Sequence, residues 1–235
     1  MPYAVQVEFR TASSFLVAYS VNLSRGGLFL ETEADIPTGV MMTLDFSVPS
    51  GGTTSLNGVV AWRRSSAEVP EGPSGIGIEF QDVAPQLGSL IDRLVSSFHG
   101  VQMLLLSGDR QDRTTLARNI KSIISTAEIT QAADANVASS VLTHEIDVAI
   151  VDVDFDVEGA LAIIRKAKAE TPPVPTIALA ASAQYREQAV AAGADEVLPN
   201  PPPFAELQVV LVRALGKPIA IRHLQQSGGV DVDLG

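Results

Sequence analysis

Apolar and polar residues alternate one for one through much of the first hundred positions. Val40, Met42, Leu44, Phe46 and Val48 fall on one side of an extended chain, with Met41, Thr43, Asp45 and Ser47 on the other. Ile76, Ile78 and Phe80 alternate in the same way with Gly77 and Glu79. A period of two marks antiparallel strands buried on one face. Turn-forming clusters punctuate the runs: Pro37-Thr38-Gly39, Pro49-Ser50-Gly51-Gly52 and Pro70-Glu71-Gly72-Pro73. The pattern predicts strands at about 5–10, 15–23, 27–32, 40–48, 54–64 and 75–80. A helix over about 85–98 closes this half, because Leu87, Leu90, Ile91, Leu94 and Phe98 recur at helical spacing.

After Gly100 the period changes. Short apolar strands are predicted at Val101–Leu106, around Ile129, and at Val148–Val153, Thr176–Leu179 and Glu196–Leu198. Amphipathic helices fall between and after them, at about 112–125, 134–142, 157–169, 183–192 and 203–215. Apolar strands alternating with helices imply a doubly wound parallel sheet covered on both faces. Two domains follow, residues 1–99 and 100–216, with 217–235 expected as a frayed tail. Only His99-Gly100 joins them, which favours fixed or hinge-limited packing over free tumbling.

Composition narrows the function classes. Cysteine is absent, removing thiol catalysis, thiolate metal sites and disulfides at once. The net charge of −11 is spread along the chain: residues up to His99 hold 5 basic and 10 acidic side chains, the remainder 11 and 17. Neither half has the basic excess that nucleic-acid binding requires. Met1-Pro2-Tyr3-Ala4 have neither the basic nor the apolar region of a signal peptide, and no apolar run is long enough to span a bilayer. A cytoplasmic protein without membrane insertion is expected. His99, His144 and His223 have no partner at ligand spacing, so no metal and no cofactor are expected. Trp62, in a strand flanked by arginines, reads as a barrel-edge aromatic or as part of a partner face.

The segment Val21-Asn22-Leu23-Ser24-Arg25-Gly26-Gly27-Leu28-Phe29-Leu30 resembles the D/N-x-S-x-x-G turn of PilZ domains. Gly58-Val59-Val60-Ala61-Trp62-Arg63-Arg64 and Gly75-Ile76-Gly77-Ile78-Glu79-Phe80 resemble that family's later strands. The resemblance implies an antiparallel β-barrel with a C-terminal helix and, in its best-known form, binding of cyclic di-GMP through Asn22, Ser24, Arg25 and Gly27. Those residues also favour a turn on their own account. Binding members of the family carry an R-x-x-x-R pair before the first strand. Here only Met1-Pro2-Tyr3 precede it, and Arg10 lies at the strand's end without a partner four residues away. Arginine forks bind phosphate bidentately, so their absence argues against cyclic di-GMP binding.

Residues Val101 to Leu215 resemble a response-regulator receiver domain. Ile146-Asp147-Val148-Ala149-Ile150-Val151-Asp152 looks like the third strand ending at the phosphoacceptor aspartate, and Ala191-Ala192-Gly193-Ala194-Asp195-Glu196-Val197-Leu198 like the last helix–strand junction. The other positions depart from the family. The magnesium-holding acidic pair falls on Ser107 and Gly108, the hydroxyl residue after the fourth strand on Ala180, and the lysine before proline on Asn200. The resemblance therefore implies a pseudo-receiver in which Asp152 remains without the groups that support an aspartyl phosphate. A cation site rebuilt from Asp109, Asp152 and Asp154 is the competing arrangement. Asp109 as a helix cap and Asp154 and Asp156 as solvated loop acids is the favoured one.

Together these readings imply a non-enzymatic bacterial signalling adaptor. Its partners are expected to be other signalling or motility proteins, in motility, pilus function or cell polarity. The docking face would lie near Tyr185, Arg186, Pro199 and Phe204. The alternatives are a cyclic di-GMP effector, with arginines donated by another chain, and a receiver phosphorylated at Asp152.

Overall fold

The computed structural model describes residues 3–22, 27–32, 34–49, 51–64, 74–81 and 85–224. The chain separates into two compact units. One takes in the chain up to Phe9, then Tyr19–Ser96, and the segment from Pro218 on; the other takes in Arg10–Ala18 and Ser97–Lys217. This differs from a simple division at residues 99 and 216, because each unit holds a short segment from the far side of the chain.

The first unit is built on β1 (Tyr3–Glu8), β2 (Gly27–Glu31), β3 (Met41–Val48), β4 (Gly52–Arg64) and β5 (Gly75–Phe80), followed by α2 (Pro85–Ser96). A further strand, β11 (Ala220–Leu224), completes a six-stranded sheet of order β11-β1-β3-β4-β5-β2. Residues 217–235 were expected to fray as a tail, and this strand corrects that expectation for Ala220–Leu224, which pair antiparallel with Ala4–Glu8. The remaining pairings are antiparallel too, apart from the parallel pair β1–β3. Alternate residues of β3, from Met42 to Val48, are buried as the period of two requires. With Val5, Val7, Leu56, Val60, Ile76 and Ile78 they form the core of this unit, and Leu90 and Leu94 of α2 are buried as well.

The strand predicted at 15–23 is instead a helix, α1 (Ala12–Asn22). The run Phe15-Leu16-Val17-Ala18-Tyr19 is apolar on every side, so period alone cannot separate strand from helix. The overlooked signal lies at its start. The Thr11 amide donates to Ser14 Oγ at 3.0 Å and the Ser14 amide to Thr11 Oγ1 at 3.1 Å, a reciprocal cap at positions three apart.

The second unit carries the parallel sheet. Its strands are β6 (Val101–Leu106), β7 (Ala127–Ala132), β8 (Val148–Asp152), β9 (Thr176–Leu179) and β10 (Glu196–Leu198). Between and after them lie α3 (Arg110–Ile123), α4 (Ala135–Val141), α5 (Val157–Ala169), α6 (Ala183–Ala192) and α7 (Phe204–Gly216). Strand order β10-β9-β8-β6-β7, all parallel, is the doubly wound flavodoxin-like arrangement. β8 is buried along its whole length, as a central strand covered on both faces must be. One core packs Leu104, Val151 and Ile164 on one side of the sheet, and a second packs Met103, Ile150 and Leu211 on the other. In this fold, sites form beyond the carboxyl ends of the strands, and Asp152 closes β8 at that edge.

Candidate functional site

Asp152 is 8% exposed, and donors already surround its carboxylate. Ser107, the first residue after β6, donates its hydroxyl to Oδ2 at 2.9 Å. The Asp154 amide donates to Oδ1 at 3.1 Å, and Asn200, after β10, donates Nδ2 to the same oxygen at 3.0 Å. Asn200 Nδ2 also reaches Asp154 Oδ2 at 2.9 Å. Three of the four positions that the sequence resemblance singled out thus touch or border the aspartate. Ser107 and Asn200 bind Asp152 directly, and neither brings a charge. Gly108 is covered by a ring: a Cβ there would lie 2.1 Å from Phe155 Cγ, so a longer side chain at 108 would have to displace Phe155. Ala180 is fully buried and offers only a methyl group.

The remaining acids are committed elsewhere. Asp109 caps α3, accepting from the amides of Gln111 and Asp112 at 2.7 and 2.9 Å, and Asp156 caps α5 through the Gly159 amide at 3.1 Å. Asp154 is no solvated loop acid: besides Asn200 it accepts from the Ala181 amide, which corrects the expectation for that residue. Among the described residues no group of three or more His, Asp or Glu side chains is placed to hold a metal ion. Arg113 turns back to the loop after β6, donating Nη1 to the Ser107 carbonyl at 2.5 Å and to that of Gly108 at 3.3 Å.

Burial pushes the Asp152 carboxyl above the ordinary aspartate value of 3.8. The Ser107 hydroxyl and the Asp154 amide oppose that rise, and the neighbouring charges of Asp154 and Asp112 add to it. The folded protein therefore holds this proton more tightly than the unfolded chain does. Stability falls as pH rises from 3.8 through the raised value, and the full penalty is present above it. An asparagine at 152 keeps the acceptor for Asp154 and Asn200, and its amide can donate to Ser107, whose hydroxyl rotates to accept. Asp152→Asn is expected to match or exceed the wild-type unfolding midpoint at neutral pH, with any gain shrinking as pH falls toward 3.8. Denaturant unfolding at several pH values checks this, and a variant clearly less stable at neutral pH contradicts it.

Asn22 ends α1, while its side chain, together with Ser24 and Arg25, lies outside the described residues. Gly27 opens β2 opposite Glu79, and a Cβ there would sit 2.3 Å from the Ile78 carbonyl oxygen, so the close approach of β2 to β5 itself requires glycine. Sequence reading missed a feature on the same sheet. Phe29 and Trp62 stack at 5.3 Å between centroids, and the Arg64 guanidinium lies 4.9 and 5.6 Å from the two rings. The rings lie flat because Gly75 and Gly77 are beneath them: a Cβ at either would fall within 2.5 Å of ring atoms. A register shift between Val60 and Trp62 sets the tryptophan on this face. The alternate glycines of Gly75-Ile76-Gly77 were the available signal.

Strand order and site together define a two-unit protein whose second unit is receiver-like. Residues 1–97 match the PilZ domain family, a stretch that runs through the first unit and also takes in Arg10–Ala18 of the second. The added strand β11 lies beyond the matched residues. No curated protein matches the chain. Solved structures similar to about half of it include several receiver domains. One is the receiver domain of a Pseudomonas aeruginosa sensor histidine kinase, at 26% identity and TM-score 0.44, covering 50% of this chain and 99% of that one. Another is the signal receiver domain of a Colwellia psychrerythraea DNA-binding response regulator, at 21% and 0.45, covering 49% and 98%. A third is a protein assigned to pilus assembly in Burkholderia thailandensis, at 23% and 0.44, covering 50% and 99%. The fold of the second unit rests on its own strand order.

Proposed function

We propose that this protein is a bacterial signalling adaptor that acts by binding other proteins in the cytoplasm, with neither phosphoryl transfer at Asp152 nor cyclic di-GMP binding. The observation that carries the reading is the closed state of Asp152. Its oxygens accept from Ser107, Asn200 and the Asp154 amide, and Phe155 covers the glycine where an acidic side chain would stand. A phosphoryl group arriving there would bring negative charge beside Asp154 with no lysine to offset it. In the PilZ domain, a single arginine, Arg25, accompanies the motif, and the stretch up to His99 carries twice as many acidic as basic residues, 10 against 5. A dianionic ligand finds little support there. The partners we favour belong to motility, pilus function or cell polarity, and the docking face lies around α6 and α7, where Val190, Phe204 and Val209 are exposed.

The test has two arms. Incubated with a small phosphodonor and Mg²⁺, the intact protein should keep its mass; a phosphate-sized increase that vanishes in Asp152→Asn overturns the reading. Calorimetry with cyclic di-GMP at micromolar concentration should show no saturable heat. Heat that disappears in Arg25→Ala would instead make the protein a nucleotide effector.

A further inference from the structure

The loop between β9 and α6 is gripped from both sides. On its donor side, the Ala181 amide points at Asp154, whose two carboxylate oxygens lie 3.1 and 3.0 Å away. The second of those oxygens also takes Asn200 Nδ2 at 2.9 Å, so one carboxylate ties together the loops that follow β8, β9 and β10. On the acceptor side, Arg186 of α6 returns Nε to the Ala180 carbonyl at 3.2 Å and Nη2 to that of Ala181 at 3.0 Å. The first turn of α6 follows directly: Ser182 accepts from the Tyr185 amide through its hydroxyl at 3.1 Å and from the Arg186 amide through its carbonyl at 3.2 Å. Asp152 shares the Asn200 donor but makes no contact with the β9–α6 loop; its other acceptor bonds go to Ser107 and the Asp154 amide.

We propose that Asp154 is a built-in carboxylate clasp that sets the position of the β9–α6 loop and of the start of α6. Two donors, a backbone amide and the Asn200 side chain, converge from different loops on a single oxygen-rich group that the chain itself supplies. A transient anion carried by Asp152 is therefore not needed to bring those donors together. The α6 surface is held in one arrangement permanently, which makes this unit a constitutive docking element and not a switched one. The inference deepens the reading that Asp152 is not phosphorylated, and it rests on that reading only for the word constitutive.

Hydrogen exchange on the full chain tests the clasp. Hydrogen bonds to a charged acceptor are the stronger ones, and losing this one should raise exchange of the amides from Ala181 to Arg186 about tenfold or more in Asp154→Ala. Asp154→Asn should raise it less, since its carbonyl can keep Ala181 while its amide meets the Asn200 amide. Asp152→Asn and Asp156→Ala should leave these amides at the wild-type rate. Unchanged exchange at Tyr185 and Arg186 in Asp154→Ala overturns the proposal, and so does an equal rise in Asp152→Asn. If α3 also loses protection in Asp154→Ala, the whole unit has loosened and Asp154→Asn carries the comparison. A phosphate mass shift alongside Asp154-dependent protection would defeat the functional reading and leave the clasp standing.

Discussion

Ending the chain at Lys217 should lower the stability of the PilZ unit by about 3 kcal/mol or more, although the residues removed lie far outside its matched segment. β11 pairs with β1 at five positions, from Ala4 opposite Leu224 to Glu8 opposite Ala220, and the Ile219 amide adds a bond to the Glu8 carbonyl at 2.8 Å. Without it, β1 becomes an edge strand with one side unpaired. β1 also supplies Val5 and Val7, among the most buried side chains of this unit. A loss of that size is a large share of the net stability of a small domain. The single tryptophan, Trp62, lies in the PilZ unit and reports on it alone. The expected result is a Trp62 fluorescence transition moved to clearly lower denaturant. An unmoved transition would mean that β11 is an ornament of the sheet and not a part of it.

The second large effect is expected at the opposite end of the receiver-like sheet from Asp152. Asp147, 4% exposed, accepts the Thr11 hydroxyl at 2.5 Å and the Gln102 amide at 2.8 Å. Arg10, 5% exposed, donates Nη1 to the His144 carbonyl at 2.7 Å, while its Nη2 finds no hydrogen-bond partner among the described residues. Burial raises the Asp147 carboxyl above its ordinary value, against the pull of Thr11, Gln102, Arg10 and Ser13; burial likewise lowers Arg10, against the pull of Asp147 and Glu170. Asp147→Ala strands two donors and removes the carboxylate that acts most strongly on the buried Arg10 guanidinium. The cost should be about 3–5 kcal/mol, read from the helical far-UV signal in denaturant. Asp147→Asn keeps one acceptor oxygen and should cost about half as much. Thr11→Val isolates the hydroxyl and should cost about 1–2 kcal/mol, showing that Arg10–Ala18 is an integral part of the second unit. A Thr11→Val variant as stable as wild type would contradict that assignment.

Much was legible from local pattern, and the reason is that period reports burial. Residues 40–48 and 75–80 alternate because one face of each strand is buried, and β8 is uniformly apolar because both of its faces are. The residues at the four positions that the resemblance assigns to phosphoryl chemistry, Ser107, Gly108, Ala180 and Asn200, could likewise be named from the sequence. What those residues do instead was not in the string. Ser107 and Asn200 meet Asp152 across 45 and 48 positions, and Phe155 covers a glycine from another loop, contacts that exist only once the strands are side by side. The helix at Ala12–Asn22 escaped a pattern reading because its apolar residues face every direction, so only its capping residues marked it. β11 escaped because a five-residue strand has little signal of its own and gains its stability from a partner more than two hundred residues away. The sequence by itself determined which segments are strands or helices wherever one face was buried, and which residue types accompany Asp152. Tertiary structure alone decided which distant segments complete each unit, and that Asp154 accepts from both the Ala181 amide and Asn200, because hydrogen-bond partners are set by proximity in space.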